Sequence, residues 1–300
     1  MPDSLIQLYT KEYSTNLEMG LQQDQSKLAM RFTPGSHTGE MASPIDFLDA
    51  IDVREVSGRF EPIGRMEQNY TRRWIAPRSF DLPLYVDQND LLKTIQDPNS
   101  TLLMSQRAAF ERNDDKRCIE AFWADALTGK DGTTTVTWAS EGANQIVLQT
   151  VGSAGGSTAV GLNVGKLRAA RKILKQNFVD FDREEVFVGI NAKADDDLLS
   201  EAQIISREYN EPLVLKDGRI ERFLGFTFVP TELLVTDGTY TRVPVWTKSG
   251  MHFGTWAGFQ SNVTKDVTLQ GHPYQLYAKK TVNACRRDPK RIVEIKITAT

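Results

Sequence analysis

An extended, arginine-rich ribbon runs from Gly58 to Asp87, with the sequence GRFEPIGRMEQNYTRRWIAPRSFDLPLYVD. Prolines punctuate it, and acidic residues alternate with the arginines. A loop of this length without packing of its own is rare in a compact domain and usually marks function or an interface. Guanidinium groups pair with carboxylates, so this alternation suits docking onto a neighbouring subunit. The ribbon therefore predicts a component of an assembly rather than an enzyme.

An uninterrupted helical segment follows the ribbon. Asp97 is a suitable N-cap, and Pro98 suits the first helical position, where the missing N–H has no cost. No further Pro or Gly occurs up to Ala126, which predicts a helix roughly 40 Å long. One stripe of this helix is apolar (Leu103, Phe110, Cys118 and Phe122), and charged residues cover the other faces (Arg107, Glu111, Asp115 and Arg117). Such a helix suits either the core of an α+β domain or, next to the ribbon, the spine of a flat shell subunit.

Composition excludes several classes of protein. The chain has 300 residues and a net charge of −3, without the basic excess typical of nucleic-acid-binding domains. Its N-terminus lacks the basic and apolar regions of a signal peptide, and no apolar run is long enough to span a membrane. We therefore expect no membrane partner and folding in the cytoplasm. Cys118 and Cys285 are expected to be buried thiols there, although a disulfide between them stays open.

The order of predicted elements indicates an α+β fold. Residues 1–50 form an arm, with an interrupted amphipathic helix over Glu12–Met30. The remaining elements are a helix over Asn163–Phe178, a strand over Glu185–Ile190, a helix over Asp195–Tyr209, a strand over Leu224–Val229, and a terminal hairpin of Tyr274–Cys285 and Arg291–Thr298. In the last strand Val293, Ile295 and Ile297 face one side, and Glu294 and Lys296 face the other.

A basic face is predicted on the helix over Asn163–Phe178. Its apolar positions lie on one side, and its lysines and arginines lie mostly on the other. Lys166, Arg171 and Lys175 are therefore candidates for contact with DNA, which would be electrostatic and independent of sequence. An exposed helix face without any role in DNA binding explains the same pattern.

The sequence contains no complete enzymatic motif among those considered, and no cofactor or metal is predicted. His37, His252 and His272 are far apart in the sequence and lack metal-ligand spacing. The Gly-Lys pair at Gly165 and Lys166 fails the phosphate-loop pattern at two positions. The run of aspartates from Asp195 to Asp197 suits the positive end of a helix dipole better than a cation site.

Four stretches make the chain resemble the major capsid proteins of tailed bacteriophages, which share the Hong Kong 97 (HK97)-like fold. They are LQQDQSKLAMRF in the arm, RRWIAPRSFDLPLYVDQNDLLKTIQDPNS before the long helix, ERFLGFTFVPTELL in the middle, and YAKKTVNACRRDPKRIVEIKI near the end. The resemblance implies an N-terminal arm, an extended E-loop, a spine helix, and peripheral and axial domains. The implied bounds are 1–50 for the arm, 51–90 for the E-loop, 91–136 and 257–300 for the peripheral domain, and 137–256 for the axial domain.

The same resemblance implies a subunit that assembles with itself, as pentamers and hexamers, into an icosahedral head around double-stranded DNA. A decoration protein, a portal and a separate scaffold are candidate partners. The arm motif begins almost at Met1, so a separate scaffold or none is implied, rather than an N-terminal scaffolding region. The virion is the expected location, after assembly in the host cytoplasm. Seven E-loop residues are candidates for contacts between subunits: Arg59, Arg65, Arg72, Arg73, Trp74, Arg78 and Phe80.

One further departure from the family and three alternatives belong to the prediction. No lysine occurs between Lys27 and Lys93, so covalent cross-linking through an E-loop lysine is not expected. The candidate arginines could also belong to a merely solvated ribbon. An encapsulin-like nanocompartment would share the fold but enclose protein cargo, and a soluble enzyme would turn over as a stable monomer.

Overall fold

The computed structural model describes most of the chain after the first residues of the arm. The described residues are 22–48, 51–55, 58, 65, 67–68, 70–86, 99–153, 156, 158–201, 215–216 and 219–299. The predicted cap at Asp97 and Pro98 and most of the predicted arm helix lie outside them. The described end of that predicted helix has only a 3-10 turn over Ala29–Arg31.

Four α-helices occur in the described residues: α1 (Asn99–Trp123), α2 (Trp138–Glu141), α3 (Val164–Gln176) and α4 (Ala192–Leu199). The predictions of the long helix and of the helix over 163–178 are confirmed within a few residues. Helix α3 begins after Asn163, whose side chain accepts a hydrogen bond from the Lys166 N–H, as an N-cap residue does. Helix α4 begins earlier than predicted, because Asn191 rather than the aspartate run caps it.

The strands have the following bounds: β1 (Thr33–Ser36), β2 (Ala42–Leu48), β3 (Tyr70–Ile75), β4 (Arg78–Val86), β5 (Ala126–Thr128), β6 (Thr134–Val136), β7 (Ile146–Val147), β8 (Val186–Ile190), β9 (Leu215–Lys216), β10 (Arg219–Ile220), β11 (Arg222–Phe223), β12 (Phe226–Pro230), β13 (Thr236–Asp237), β14 (Tyr240–Thr247), β15 (Met251–Lys265), β16 (Tyr274–Arg286) and β17 (Ile292–Thr298). Strands and helices are mixed along the chain without a regular βαβ repeat, so the predicted α+β class is confirmed.

The largest sheet has seven strands, in the order β11-β12-β8-β14-β17-β7, with β13 paired to β14. Strands β12 and β8 are parallel, whereas β14 is antiparallel to both β8 and β17. Aliphatic residues of these strands are buried against the apolar side of α3, which presents Leu167, Ala170 and Leu174. This cluster is the main hydrophobic core of the described residues, and burial of such side chains stabilises a domain by about 1.5–3 kcal/mol each.

The predicted terminal hairpin is wrong. Strand β17 pairs with β14 and β7, whereas β16 lies in another sheet with β15 and β4. Strand β17 is buried on both faces, so Glu294 is in the interior and not on the exposed side that the alternation predicted. The last strand consequently packs with the predicted axial segment, and the prediction that all of 257–300 belongs to the peripheral domain is corrected for 292–298.

Contacts divide the chain into two compact units. Of the described residues, the first unit contains 22–25, 79–86, 99–112 and 257–281, and the second unit contains the others. In the first unit the Gln106 side chain donates to the Leu276 carbonyl at 3.0 Å, and the Phe110 and Phe259 rings meet edge to face at 5.5 Å. The second unit contains the seven-stranded sheet and all the surfaces described below, apart from Phe80.

Candidate inter-subunit and DNA-facing surfaces

Strands β2 and β3 form an antiparallel pair at the base of the predicted E-loop. Their register places Leu48 opposite Tyr70 and Asp46 opposite Arg72, and it shifts between Ala42 and Ile45. This irregularity surrounds the proline at position 44, which cannot donate a ladder hydrogen bond. The other edge of β3 pairs with β5. The ribbon is therefore anchored at its base by two neighbouring strands.

Arg72 makes its ion pair within the chain. Its Nε and Nη2 donate to the Asp46 carboxylate at 2.6 and 2.8 Å, and its guanidinium lies 5.6 Å from the Trp74 ring centre. The hydrogen bond from Arg72 lowers the pKa of Asp46 and raises that of Arg72. The Trp74 indole N–H donates to the Gly129 carbonyl at 2.8 Å. Both residues therefore have partners in their own chain and stay partly exposed.

Arg73 departs most from the prediction. It is 4% exposed, because it lies at a buried position of β3, and its Nη2 donates to the Glu141 carboxylate. Glu141 also receives Nη2 of Arg286 at 3.4 Å. This guanidinium is therefore part of the interior and not of an exposed face of the ribbon, and its predicted contact with a neighbouring subunit stays a prediction. Sequence gave no sign of it, because its partner is far away along the chain.

The other candidates of the ribbon are distributed differently. Arg65 and Arg78 are exposed, and Phe80 is half-buried in the first unit. Arg59 lies outside the described residues. The structure brings Arg72, Arg73 and Trp74 together on β3, but no described contact joins them to Arg65.

A group of exposed apolar residues was missed by the sequence analysis. Leu48 and Tyr70, which are opposite each other in the β2–β3 pair, are 59% and 74% exposed. Ile51 and Val53 follow on the same segment, and Val53 is 98% exposed. We call these four residues the apolar tip. These residues were visible in the sequence, but the density of arginine directed the prediction to charged residues instead.

The root of the arm is attached to α1 by a buried carboxylate. Asp115 is fully buried and accepts hydrogen bonds from Ser26 Oγ at 2.5 Å and from the backbone N–H groups of Lys27 and Leu28 at 2.9 Å each. Leu28 and Phe32 are fully buried, and the Phe32 ring meets those of Phe122 and Trp246. The arm is therefore fixed at its root by one carboxylate and two apolar side chains.

Lys166 does not belong to the predicted basic face. It is fully buried, and its Nζ donates to the carbonyls of Val160 at 2.6 Å and Lys296 at 2.9 Å. Burial lowers the pKa of Lys166 to about 8, although the charge of Asp197 opposes this shift. The prediction that Lys166 faces DNA is corrected. Its position next to the N-cap turns its side chain inward, which a helical wheel does not show.

The remaining basic residues of α3 form a surface. Arg168, Lys172 and Lys175 are exposed, and the Arg171 guanidinium lies 5.3 Å from the Phe181 ring centre. They border a shallow depression of about 620 Å³. We call these four residues the α3 basic surface. Arg171 and Lys175 thus belong to an exposed basic surface, as the sequence predicted.

Two histidines that are distant in the sequence lie side by side. Strand β1 pairs in parallel with the start of β15, which brings His37 Nε2 to 2.7 Å from His252 Nε2. Burial lowers the pKa of His252 to about 4, and the neighbouring charges of His37 and Arg287 contribute. Burial also lowers the pKa of His37. Among the described residues, no cluster of three or more potential metal ligands occurs.

Both cysteines are free thiols, so no disulfide joins Cys118 and Cys285 in the structure. No described helix is long and apolar enough to cross a membrane.

Comparison with known proteins identifies the family. The model of the phage capsid protein family matches residues 5–299. A sequence comparison with curated proteins finds no significant match.

Several solved phage capsids have the same fold at low sequence identity. The capsid of cyanophage Pam1 gives a TM-score of 0.75 at 12% identity, covering 98% of this chain and 97% of that one. The capsid of cyanophage P-SCSP1u gives 0.71 at 10% identity, with 98% and 94% covered. The capsid of Ralstonia phage GP4 gives 0.68 at 10% identity, with 98% and 96% covered. The prediction of a major capsid protein with the HK97-like fold is confirmed, and the chain belongs to the phage capsid protein family.

Proposed function

We propose that copies of this chain assemble, as pentamers and hexamers, into the icosahedral head of a tailed phage that encloses double-stranded DNA. Assembly in the host cytoplasm, and the participation of a portal, a separate scaffold and a decoration protein, belong to the same proposal. The observation that carries it is the apolar tip, at the base of the predicted E-loop of a chain with the phage capsid fold.

The apolar tip favours contact with a second copy. Leu48 and Tyr70 form an exposed cross-strand pair, and the exposed Ile51 and Val53 follow Leu48 closely in the sequence. Contiguous exposed apolar side chains, unlike scattered ones, mark interaction sites. A contact between this tip and a different surface of the next copy is head-to-tail, and such contacts form closed rings when the rotation closes. Many modest contacts of this kind stabilise a shell together.

Ion pairs of the ribbon arginines contribute less to the proposed contact between copies than the sequence predicted. Arg65 and Arg78 are exposed and suit contacts with carboxylates of another copy. Arg72 is also exposed, and it can exchange Asp46 for another carboxylate at little cost because exposed ion pairs are weak. Trp74 and Phe80 are only partly exposed. The apolar tip is therefore the main proposed contact of the ribbon.

The α3 basic surface is the proposed contact with DNA. Its four positive charges carry no matching carboxylate on the same face of α3, whose sequence between Val164 and Gln176 contains no acidic residue. Lysine and arginine neutralise phosphates without reading base sequence, and such binding weakens as salt concentration rises. A subunit that packages any genome sequence needs this kind of contact.

Substitution in the apolar tip tests self-assembly. We expect the full-length wild-type chain to form closed shells, observed by negative-stain electron microscopy and sedimentation velocity. Val53→Asp places a charge in the proposed contact and should reduce shell yield at least tenfold, whereas Val53→Ile should leave it unchanged. Since Val53 is 98% exposed, both variants should keep the wild-type circular dichroism spectrum. A wild-type chain that stays monomeric at every concentration, both alone and with a scaffold protein present, would contradict self-assembly, and normal yield of Val53→Asp would contradict the role of the tip.

Packaged nucleic acid tests the DNA contact and the encapsulin-like alternative together. Nuclease-resistant DNA inside particles supports a phage head, and particles filled with protein support a nanocompartment. Lys172→Gln with Lys175→Gln should lower the DNA content and make the rest easier to release by salt. Lys130→Gln, an exposed lysine in a turn away from α3, is the control. Equal DNA content in both variants would exclude the α3 basic surface from this role.

A further inference from the structure

A cleft in the second unit contains buried cationic groups without enough acceptors. It has a volume of about 220 Å³ and lies between the end of α1, strand β3 and the end of β16. Arg73 and Arg286 line it, and they are 4% and 2% exposed. A charged group that is buried this deeply is normally paired, because desolvation of an unpaired ion costs several kcal/mol. Both arginines are therefore expected to have acceptors for their N–H groups.

Arg73 uses only one of its nitrogens. Its Nη2 donates to Glu141, while Nε and Nη1 are buried and find no acceptor within the described part of the chain. Arg286 is better satisfied: Nη1 donates to the carbonyls of Phe122 at 2.9 Å and Ala124 at 2.7 Å, and its guanidinium lies 5.3 Å from the Trp138 ring centre. Its Nε is nevertheless also without an acceptor. Three buried guanidinium nitrogens thus remain open.

Charge is unbalanced in the same place. Arg73 and Arg286 share a single carboxylate, Glu141. Arg117 pairs with Glu120 at 2.7 Å, and Arg78 and Asp125 also line the cleft, so four arginines face three carboxylates when Glu141 is included. Burial lowers the pKa of Arg286, and the neighbouring charge of Arg73 lowers it further. One positive charge is therefore left over beside a cavity that can hold a small group.

We propose that this cleft is an oxyanion-binding site, in which Arg73, with help from Arg286, binds one carboxylate or phosphate group. The shared chemistry is a compact anion with several acceptor oxygens, which matches guanidinium donors better than chloride or water does. Two sources can supply it: an acidic side chain of a second copy in the assembled shell, or free inorganic phosphate. The site itself is complete within one chain, and only the first source rests on the proposed self-assembly.

A substitution at Cys285 can fill the site from within. Cys285 lines the cleft beside Arg73, whose charge acts on its thiol, and burial raises the pKa of this thiol to about 12, so the thiol is neutral. Cys285→Asp places a carboxylate in the cleft, and Cys285→Asn is its uncharged control of nearly the same shape. Neither variant removes an arginine, so the contacts with Glu141 are retained.

The test measures thermal unfolding of the unassembled full-length chain during titration with inorganic phosphate at constant ionic strength. We expect a saturable rise of Tm for the wild type and for Cys285→Asn, and a phosphate Kd at least tenfold weaker for Cys285→Asp. A wild type without a saturable response, or equal phosphate responses of Cys285→Asp and Cys285→Asn, would overturn the proposal.

Electron cryomicroscopy of wild-type shells then identifies the source and keeps the proposal testable if Cys285→Asp does not fold. Density for a carboxylate of a neighbouring copy within hydrogen-bond distance of Arg73 Nε or Nη1 assigns the site to a second copy. A discrete density that depends on phosphate assigns it to the free anion. An empty cleft in well-ordered shells overturns the proposal and leaves self-assembly intact, whereas absence of shells contradicts self-assembly and leaves the phosphate titration to decide.

Discussion

Replacing Asp115 by alanine tests how the root of the arm is held on helix α1. The buried carboxylate of Asp115 accepts three hydrogen bonds from the segment around Ser26 to Leu28, and no other contact of that segment is as concentrated. In Asp115→Ala these three donors lose their acceptor. The chain must then either keep the segment docked with unpaired donors or release it into water.

The two responses have similar costs, so the expected loss of stability is well defined. If the segment stays docked, the backbone N–H groups of Lys27 and Leu28 are left unpaired, at about 1–3 kcal/mol each. If it is released, Leu28 and Phe32, both fully buried, become exposed. Their exposure costs about 1.5–3 kcal/mol each. The cheaper response limits the effect, and the free energy of unfolding should therefore fall by about 3 kcal/mol.

Urea unfolding of the full-length chain measures this loss, and hydrogen exchange at Lys27 and Leu28 distinguishes the two responses. Released segments exchange fast, whereas docked ones remain protected. Asp131→Ala, which removes an exposed aspartate from a turn, is the matched control and should change stability by less than about 0.5 kcal/mol. A loss below about 1 kcal/mol in Asp115→Ala, with unchanged exchange, would refute the anchoring argument.

Three further substitutions probe buried polar groups by urea unfolding. Arg242 donates twice to Glu294 at 2.8 Å, and Glu294 is 1% exposed, so Arg242→Met should cost about 3–5 kcal/mol. The double change Arg242→Met with Glu294→Leu removes the unpaired buried charge and should cost less, although the Trp138 indole N–H then loses Glu294 as its acceptor at about 1–3 kcal/mol. The pKa of Lys166 is lowered from 10.5 to about 8, so between these pH values the folded state binds fewer protons than the unfolded state. The stability of the wild type should therefore rise between pH 8 and 10.5, and Lys166→Met should lack this rise. The pKa of His252 is lowered from 6.5 to about 4, so the unfolded state binds more protons between these pH values. The stability of the wild type should therefore fall as the pH decreases from 6.5 to 4, by up to about 1.4 kcal/mol per pH unit. His252→Gln should lack this fall.

The same urea unfolding measurements can contradict each of these three expectations. Equal losses for the single and the double change at Arg242 would mean that Glu294 does not depend on its partner. Arg183→Met, which removes a largely exposed arginine, is the control and should have no measurable effect. Parallel pH profiles of the wild type and Lys166→Met, or of the wild type and His252→Gln, would exclude those side chains as the titrating groups.

Local signals in the sequence were sufficient for most elements. The absence of glycine and proline predicted α1, and the capping side chain of Asn163 marked the start of α3. Runs of β-branched residues predicted β8 and β17 within one or two residues. Partners of strands were not predictable in the same way. The pairing of β17 with β14 and β7 joins segments far apart in the chain, and a short turn between β16 and β17 suggested a hairpin that does not form.

The candidate surfaces were predicted less well than the fold, for a related reason. Helical and strand periodicity assigns charged residues to the outside by default, but a charged residue with a distant partner can be buried. Arg73 with Glu141, Asp115 with the arm, and Lys166 with two carbonyls are such cases. The pair of His37 and His252 likewise depends on a parallel pairing between β1 and β15 that no local pattern indicates.

The distribution of polar and apolar residues in this subunit is itself informative. Exposed single apolar residues are ordinary, whereas buried charges and grouped exposed apolar residues call for an explanation. Here the buried charges join segments that have little core of their own: Asp115 holds the arm, and Glu141 holds the base of the ribbon through Arg73. The apolar tip includes Leu48 and Tyr70, the exposed pair of β2 and β3 at that base. We infer that contacts of buried charged side chains fix the direction of each extended segment, and that apolar contacts with neighbouring copies then hold the segment in place. Substitutions in the first group should therefore impair folding, and substitutions in the second group should impair assembly alone.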